Sequence, residues 1–244
     1  MLLGDFHHAM QAWVWDLPED MEPVSTPVKM RLLLQELGPT YVKMGQIVSS
    51  QASTIPPDWE EQLALLQSNV PPFPADVARQ IIIEELGQPP EVLYAHFEPR
   101  PFAAASTAQV HRAALHDGAQ VVVKVQRPNI HKQMKADIGI MQNAARVFSA
   151  RSEYARSIDL EGMLEQFGES VLDELDYTGE AYNAFRLAQN LATLPGVHIP
   201  DLHSELSTSK VLTMEFIQGV KISNLLAIDR AGIDRAELAR NTLR

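Results

Sequence analysis

A change of pattern near residue 95 constrains the fold of this chain more than any other feature of its 244-residue sequence. Before that point, apolar side chains recur three or four positions apart between prolines, as they do at Trp59, Leu63, Leu66 and Val70. After it, segments 103–115 and 120–126 are short, contain β-branched residues and flank a turn at 116–118. The first pattern predicts helices, and the second predicts a β-hairpin whose second strand, VVVKVQ, is buried.

Further along the chain the two patterns alternate again. Segments 129–151 and 159–191 keep helical spacing, segments 197–202 and 210–217 have strand character, and a new helix begins near Asp234. Helices, a hairpin, long helices and two more strands predict an α+β fold with a small antiparallel sheet.

Composition excludes several classes of function. The chain has 20 Lys and Arg against 31 Asp and Glu, a formal net charge of −11, which argues against nucleic acid as a partner. It contains no cysteine, so disulfides, thiolate metal sites and cysteine nucleophiles are excluded, and its 8 histidines have no metal-ligand spacing. Without a long apolar run or a secretory leader, the sequence predicts a cytoplasmic protein, and any membrane contact would be peripheral.

The segment AAASTAQV at 103–110 has the spacing of the glycine-rich loops that cover nucleotide phosphates, G-x-G-x-x-G-x-V. Ala103, Ala105 and Ala108 occupy the three glycine positions, and Val110 occupies the valine position. Alanine keeps the side chain small but does not adopt positive φ freely, so such a loop is expected to be stiffer than a glycine-rich one. The alternative is an alanine-rich strand packed for its small volume.

Two sets of charged residues could meet such a loop. Lys124 lies within the β-branched strand, where burial of an ammonium is costly unless it is paired. Glu174, Asp176 and Glu180 lie in a segment predicted as one helix, on which Asp176 and Glu180 share a face. On that helix Glu174 would point about 120° away from Glu180. The alternatives are a lysine that reaches solvent and an ordinary acidic helix face.

Two further motifs complete the pattern. VLTMEFIQG at 211–219 is typical of a buried strand that runs into a short linker, and its alternative is a plain edge strand and turn. KMGQ at 43–46 places Lys43 and Gln46 on one face of an N-terminal helix, and its alternative is a surface lysine. Gly45 within that helix costs about 1 kcal/mol relative to alanine, which predicts close packing against another element.

Together, these features resemble the ABC1/ADCK/UbiB (AarF) family of atypical kinase-like proteins. The resemblance rests on K-x-G-Q at 43–46, the alanine-rich loop at 103–106, the V-x-V-K strand that ends at Lys124, and E-x-D at 174–176 followed by Glu180. The order and spacing of the four motifs are far more specific than any one of them.

The resemblance implies a division of the chain into three parts. Residues 95–220 would form a nucleotide-binding small lobe like that of protein kinases, an antiparallel sheet plus helix C. Residues 1–94 would form a helical extension that carries the KxGQ motif, and residues 221–244 would begin a C-lobe.

The resemblance also implies roles for individual residues. Lys124 and Glu180 would be the catalytic pair, with Lys124 on the phosphates of ATP or ADP and Glu180 orienting it. Met214 would be the gatekeeper beside a hinge that holds adenine. The implied nucleotide-binding residues are Ala103, Ala104, Ala105, Ser106, Ala108, Val110, Val122, Lys124, Met214, Glu215, Phe216 and Ile217. The implied gating residues, which would cover the place of a protein substrate, are Lys43, Gln46, Glu174 and Asp176.

The sequence departs from the family pattern in one respect. Phosphoryl transfer in a kinase-like fold needs a catalytic loop with Asp and Asn and a D-F-G aspartate for magnesium, and neither occurs in these 244 residues. The C-lobe is therefore expected to be missing, and Mg²⁺ is expected only with that lobe. This chain alone is expected to contain no metal site and to have no catalytic turnover.

Members of the family bind ATP or ADP and support the biosynthesis of ubiquinone and related prenyl lipids. The resemblance thus implies a nucleotide as the ligand and prenyl-lipid or lipid-biosynthesis enzymes as partners. The alternative is a non-catalytic nucleotide-sensing or scaffold module that docks a lipid-biosynthesis complex or a membrane surface.

Overall fold

The first part of the protein is helical, as the sequence predicts. The computed structural model describes residues 25–50, 55–67, 71–194 and 196–242. Its N-terminal elements are α1 (Thr26–Leu37), α2 (Pro39–Ser49), α3 (Pro57–Ala64) and a 3₁₀ turn (Leu65–Gln67). Val70, the last member of the predicted periodic series, lies outside the described residues.

Two glycines allow these helices to pack closely. Gly38 joins α1 to α2 with a φ of 105°, a backbone conformation that favours glycine. Gly45 faces the cluster formed by Leu34, Leu63 and Leu66, and a Cβ atom there would overlap Leu66 and lie 3.0 Å from Cδ1 of Leu34. The prediction that Gly45 marks a close approach is therefore confirmed.

The helix α4 (Ala75–Leu86) and the short α5 (Pro90–Leu93) come immediately before the sheet. A left-handed Gly87, with a φ of 77°, ends α4 and bonds back to Ile83. The buried side of α4 carries Ala78 and Ile82, which pack directly onto the sheet.

The sheet has five antiparallel strands. They are β1 (His96–Phe97), β2 (Ala103–Ala104), β3 (Ala108–Ala114), β4 (Gln120–Gln126) and β5 (Val211–Glu215). Their order is β1–β3–β4–β5, with β2 also paired to β3. The predicted β3–β4 hairpin is confirmed, and Gly118 at its turn has a φ of 92°. The predicted strand at 103–115 is interrupted after Ala104, where the chain leaves the sheet for the alanine-rich loop.

One face of the sheet forms the main apolar core. In β4 the odd positions Val121, Val123 and Val125 enter this core, together with Val211 from β5. Because side chains alternate along a strand, the even positions of β4 point to the opposite face. The core side chains of α4, which belong to the predicted N-terminal extension, and those of the sheet thus form one cluster.

Between β4 and β5, the described residues form four α-helices. They are α6 (Ile130–Ser149), α7 (Glu153–Ser157), α8 (Leu160–Asp173) and α9 (Tyr177–Leu191). The prediction of a single helix over 159–191 is wrong, because the helix ends at Asp173 and a new one begins at Tyr177. Helical spacing continues through the junction, but Asp176 caps the second helix, and the backbone N–H of Tyr177 donates to the carbonyl of Ser209 at 3.1 Å, so the first helix does not continue.

The predicted strand at 197–202 is also wrong. Only an isolated bridge between Leu202 and Met214 pairs this segment with β5, and a 3₁₀ turn (Ser204–Leu206) follows it. Beyond β5 lie α10 (Leu225–Arg230) and α11 (Arg235–Thr242), and the second of these confirms the helix predicted near Asp234. Within the described ranges, no helix is both long and apolar enough to cross a membrane.

A buried histidine connects β3 to its neighbours. His111 is fully buried, with Nδ1 lying 2.9 Å from the carbonyl oxygen of Glu98 and Nε2 lying 3.0 Å from the Gln109 amide nitrogen. A carbonyl accepts and an amide nitrogen donates, so this pair of partners fits the neutral ring with its proton on Nδ1. Burial lowers the pKa of His111, against the opposing effect of its bond to Glu98.

We predict that replacing Gly45 with valine lowers the free energy of unfolding by about 1–3 kcal/mol, because added methyl groups overpack the α1–α3 cluster. Urea denaturation measures the change. Gly139 in α6 provides the control, since a Cβ built there would have nothing within 4 Å apart from its chain neighbours and the backbone of its own helix. Gly139→Ala should raise stability by up to about 1 kcal/mol. A Gly45→Val protein as stable as the wild type would contradict the packing.

We predict that stability falls as the pH drops below about 6.5, the usual pKa of histidine. The unfolded chain binds a proton at His111 more readily than the folded protein, so the free energy of unfolding rises with pH across this window. When the free energy of unfolding is measured by denaturation between about pH 7.5 and pH 5, it should depend less steeply on pH for His111→Gln than for the wild type. His96→Gln, at an exposed position, is the control, and equal slopes for the wild type and His111→Gln would refute the assignment.

Candidate functional site

The face of the sheet opposite the main core brings together several of the predicted nucleotide-binding residues. Val110, Lys124 and Leu212 lie directly opposite one another across β3, β4 and β5. Val122 and Met214 form the neighbouring pair on the same face. Directly paired residues in a sheet share a face, so the strand register alone brings these side chains together.

Lys124 is held from two directions. Its Nζ donates a 2.6 Å hydrogen bond to Oε2 of Glu180, and the two side chains are 24% and 41% exposed. The same Nζ lies 4.4 Å from the centre of the Tyr177 ring, a distance at which the ring attracts a cation. The contact between Lys124 and Glu180 that the sequence analysis predicted is present.

Tyr177 lies beneath this ion pair and was not singled out from the sequence. It is 1% exposed and packs with Ala108, Leu212 and Met214, and its hydroxyl has no hydrogen-bond partner among the described residues. Burial is the main cause that raises the pKa of Tyr177, and the charges of the nearby glutamates raise it further, so the phenol is neutral. The sequence signal that could have identified Tyr177 was its position three residues before Glu180, since residues at that spacing lie on the same face of a helix.

The junction between α8 and α9 positions Glu180. Oδ1 of Asp176 accepts hydrogen bonds from the backbone N–H of Thr178 at 2.9 Å and from its hydroxyl at 2.7 Å, which caps α9. The amide of Gln126 donates to the carbonyl of Leu175 at 2.6 Å, tying the junction to β4. Asp176 therefore lies before the helix that carries Glu180, and the prediction that the two share one helix face is wrong.

A second ion pair joins the N-terminal helices to this junction. Nζ of Lys43 on α2 donates a 2.6 Å hydrogen bond to Oε1 of Glu174, which follows the last residue of α8. Gln46, its partner in the KxGQ motif, instead donates to the carbonyl of Leu66 at 2.9 Å. The structure thus places Lys43 at the junction and Gln46 inside the helical extension.

Glu174 and Glu180, the two glutamates of these ion pairs, line one cavity of about 1090 Å³. Lys124, Asp176 and Lys210 lie on the wall of the same cavity. An ammonium beside such a cavity can neutralise phosphate oxygens, and the apolar sheet face beside it can support a flat ring.

The alanine-rich loop closes one side of this face. Ala103 and Ala104 pair with β3, and the N–H of Ala105 donates to the carbonyl of Ala108 at 2.7 Å. Ser106 is buried. The non-glycine residues with positive φ in the described part of the chain are Asn129 and Asp159, so the loop alanines keep ordinary backbone angles.

The predicted hinge follows β5. Glu215 ends the strand, and its Oε2 accepts hydrogen bonds from His198 at 2.6 Å and from the N–H of Asp201 at 3.2 Å. The hydrogen bond from His198 is the main cause that lowers the pKa of Glu215. His198 was not singled out from the sequence. Ile217 is exposed.

Phe216 connects the hinge to the loop region. Its ring lies 5.0 Å from the guanidinium of Arg112, which also lies 5.1 Å from the ring of Phe102. The backbone N–H of Phe216 donates to the carbonyl of Gln120 at 2.9 Å. Phe102 precedes Ala103, so aromatic contacts fix the hinge relative to the start of the alanine-rich loop.

Comparison with known proteins identifies a matching family. The family model for the ABC1 atypical kinase-like domain matches residues 65–244. A probable protein kinase UbiB of Marinobacter nauticus is 40% identical over 211 residues, which cover 86% of this chain and 39% of that protein. The protein ACTIVITY OF BC1 COMPLEX KINASE 7, chloroplastic, of Arabidopsis thaliana is 38% identical over 214 residues, covering 88% of this chain and 31% of its own length.

A solved structure is similar in fold. The Rv3197 protein of Mycobacterium tuberculosis, determined in complex with erythromycin, is 31% identical with a TM-score of 0.56, over 82% of this chain and 49% of that one. The chain described above thus spans about half or less of the proteins that it matches. The α+β fold with its antiparallel sheet and helices is that of a kinase-like small lobe, and the chain belongs to the ABC1 atypical kinase-like family.

Proposed function

We propose that this chain is the nucleotide-binding half of an ABC1-type atypical kinase or ATPase, and that it binds ATP or ADP on the sheet face beneath the alanine-rich loop. The observation that carries the proposal is the pairing of Lys124 with Glu180 at 2.6 Å, on the face that also holds Val110, Val122 and Met214. An ammonium held in this way is preorganised for the α- and β-phosphates.

The arrangement of the site supports a division of roles. Val122 and Met214 would contact the adenine, whose edge would bond to the backbone of residues 215–217. The alanine-rich loop would cover the phosphates. Lys43, paired with Glu174 from the N-terminal helices, would gate the cavity mouth. Mg²⁺ and the phosphoryl acceptor would be bound by parts of the full-length protein beyond the segments described above.

For the biological role, we propose support of ubiquinone or related prenyl-lipid biosynthesis. The support for this is the similarity to proteins named UbiB, together with the family membership. The second candidate is a nucleotide-sensing or scaffold module that assembles lipid-biosynthesis enzymes without turnover. Full-length protein that binds nucleotide but shows no magnesium-dependent hydrolysis would favour this second candidate.

We predict that Lys124→Ala in the full-length protein weakens binding of ATP and ADP by roughly 10- to 100-fold, because it removes a charge-assisted contact to phosphate worth about 1.5–3 kcal/mol. Isothermal titration calorimetry measures the affinity.

The matched control is Arg79→Ala. This variant also removes a cation from an ion pair, the pair with Glu91 at 3.0 Å on α4 and α5, away from the candidate site. Its nucleotide affinity should equal that of the wild type. An affinity that is unchanged in Lys124→Ala would count against the assignment of the site.

A further inference from the structure

Arg127 contacts both the alanine-rich loop and the segment that precedes α4. It follows the last residue of β4 and lies three positions after Lys124. Its Nε donates to the carbonyl of Ala105 at 2.9 Å, and its Nη2 donates to the carbonyl of Pro71 at 2.6 Å. One guanidinium thus bridges two backbone segments that are 34 residues apart in sequence, as 105 − 71 = 34.

The contacts with the loop fix the direction of its peptide groups. The backbone N–H of Arg127 donates to the carbonyl of Thr107 at 2.9 Å, so the carbonyls on either side of Ser106 both point towards Arg127. Across the turn, the N–H of Ala105 bonds to the carbonyl of Ala108 at 2.7 Å. The loop backbone is therefore held from inside by its own turn and from outside by Arg127.

The contacts with the other segment are equally specific. The backbone N–H of Phe73 donates to the side-chain oxygen of Gln109 on β3 at 3.0 Å. The ring of Phe73 lies 5.6 Å from the Arg127 guanidinium, within the range of a cation–π contact. Pro71, whose carbonyl accepts from Arg127, and Phe73 are thus attached to the strand and the loop that cover the candidate nucleotide site.

A guanidinium suits this bridge better than an ammonium does. Its N–H groups diverge in one plane at fixed angles, so Nε and Nη2 reach two carbonyls at once, while the planar group stacks on an aromatic ring. Lysine offers a single nitrogen on a flexible stem and cannot hold both carbonyls in this geometry.

We propose that Arg127 is a positioning residue that clamps the alanine-rich loop to the 71–73 segment, so that the loop over the phosphates keeps a fixed position relative to the start of α4. The clamp itself is independent of ligand, whereas its effect on phosphate affinity rests on the proposed function. Through this residue, the segment before α4 controls how much of the protein holds the loop in its binding conformation.

The clamp predicts a selective effect on affinity. When the loop populates its binding conformation only part of the time, the apparent dissociation constant rises by the inverse of that fraction. Adenosine, which has no phosphates, gains little from the loop. Releasing the clamp should therefore weaken the binding of ATP and ADP by about tenfold, and it should change the affinity for adenosine by no more than about twofold.

The experiment uses the full-length protein with Arg127→Met and Arg127→Lys, and with Arg79→Ala as the control arginine. Hydrogen exchange is followed at the N–H groups of Phe102 and Ala105, which bond to the carbonyls of Val110 and Ala108. Both Arg127 variants should speed exchange there by at least about tenfold, while Val123 in the core of β4 exchanges as in the wild type. Calorimetry gives the affinities for ATP, ADP and adenosine.

The outcomes separate the clamp from the proposed function. Unchanged exchange at Phe102 and Ala105 overturns the clamp, and so does an equal loss of ATP and adenosine affinity, which would indicate a merely structural role. If loop exchange is faster in the Arg127 variants but the wild-type protein binds no nucleotide, the clamp is supported and the proposed function is refuted. Arg127→Lys keeps the charge and most of the side-chain volume, so the conclusion does not depend on folding of the Met variant.

Discussion

The alternation of side chains along β4 is the constraint on which the rest of the structure depends. The strand is paired at both edges, with β3 and β5, and its odd-numbered valines enter the main core, so it cannot slip in register by one residue without exchanging its two faces. In the observed register, Val121, Val123 and Val125 bind the sheet to α4. The opposite face then carries Lys124, and a cation at that place requires compensation from outside the sheet.

That compensation organises the helical half of the protein. Glu180 reaches Lys124 because α8 ends at Asp173 and α9 starts again at Tyr177. The break lets the junction bond to β4 through Gln126, and it places the Tyr177 ring under the ammonium. A continuous helix would carry Glu174 and Glu180 at the fixed angle of helical geometry. The interrupted one allows Glu174 to meet Lys43 while Glu180 meets Lys124.

The helices α1–α3 have an apolar cluster of their own, around Leu34 and Leu66, which is separate from the core under the sheet. Their contacts with the rest of the protein include the Lys43–Glu174 pair, a 2.6 Å hydrogen bond from Thr40 to Asp137 on α6, and the packing of Ile47 against the apolar cluster of α6 and α8. Directional polar contacts such as the first two fix the relative position of the helices, which suits a region that is proposed to gate the cavity.

The sequence by itself determined the α+β order, the buried β4 strand and the close approach at Gly45, and its resemblance to the family implied the pairing of Lys124 with Glu180. The first three depend on periodicity and on glycine chemistry, which can be read locally. Only the tertiary structure decided the helix break before Tyr177, the bridge at Leu202 in place of a strand, and the double contact of Arg127. Those features arise from backbone partners far away in sequence, and no local pattern encodes which carbonyl a distant donor will reach.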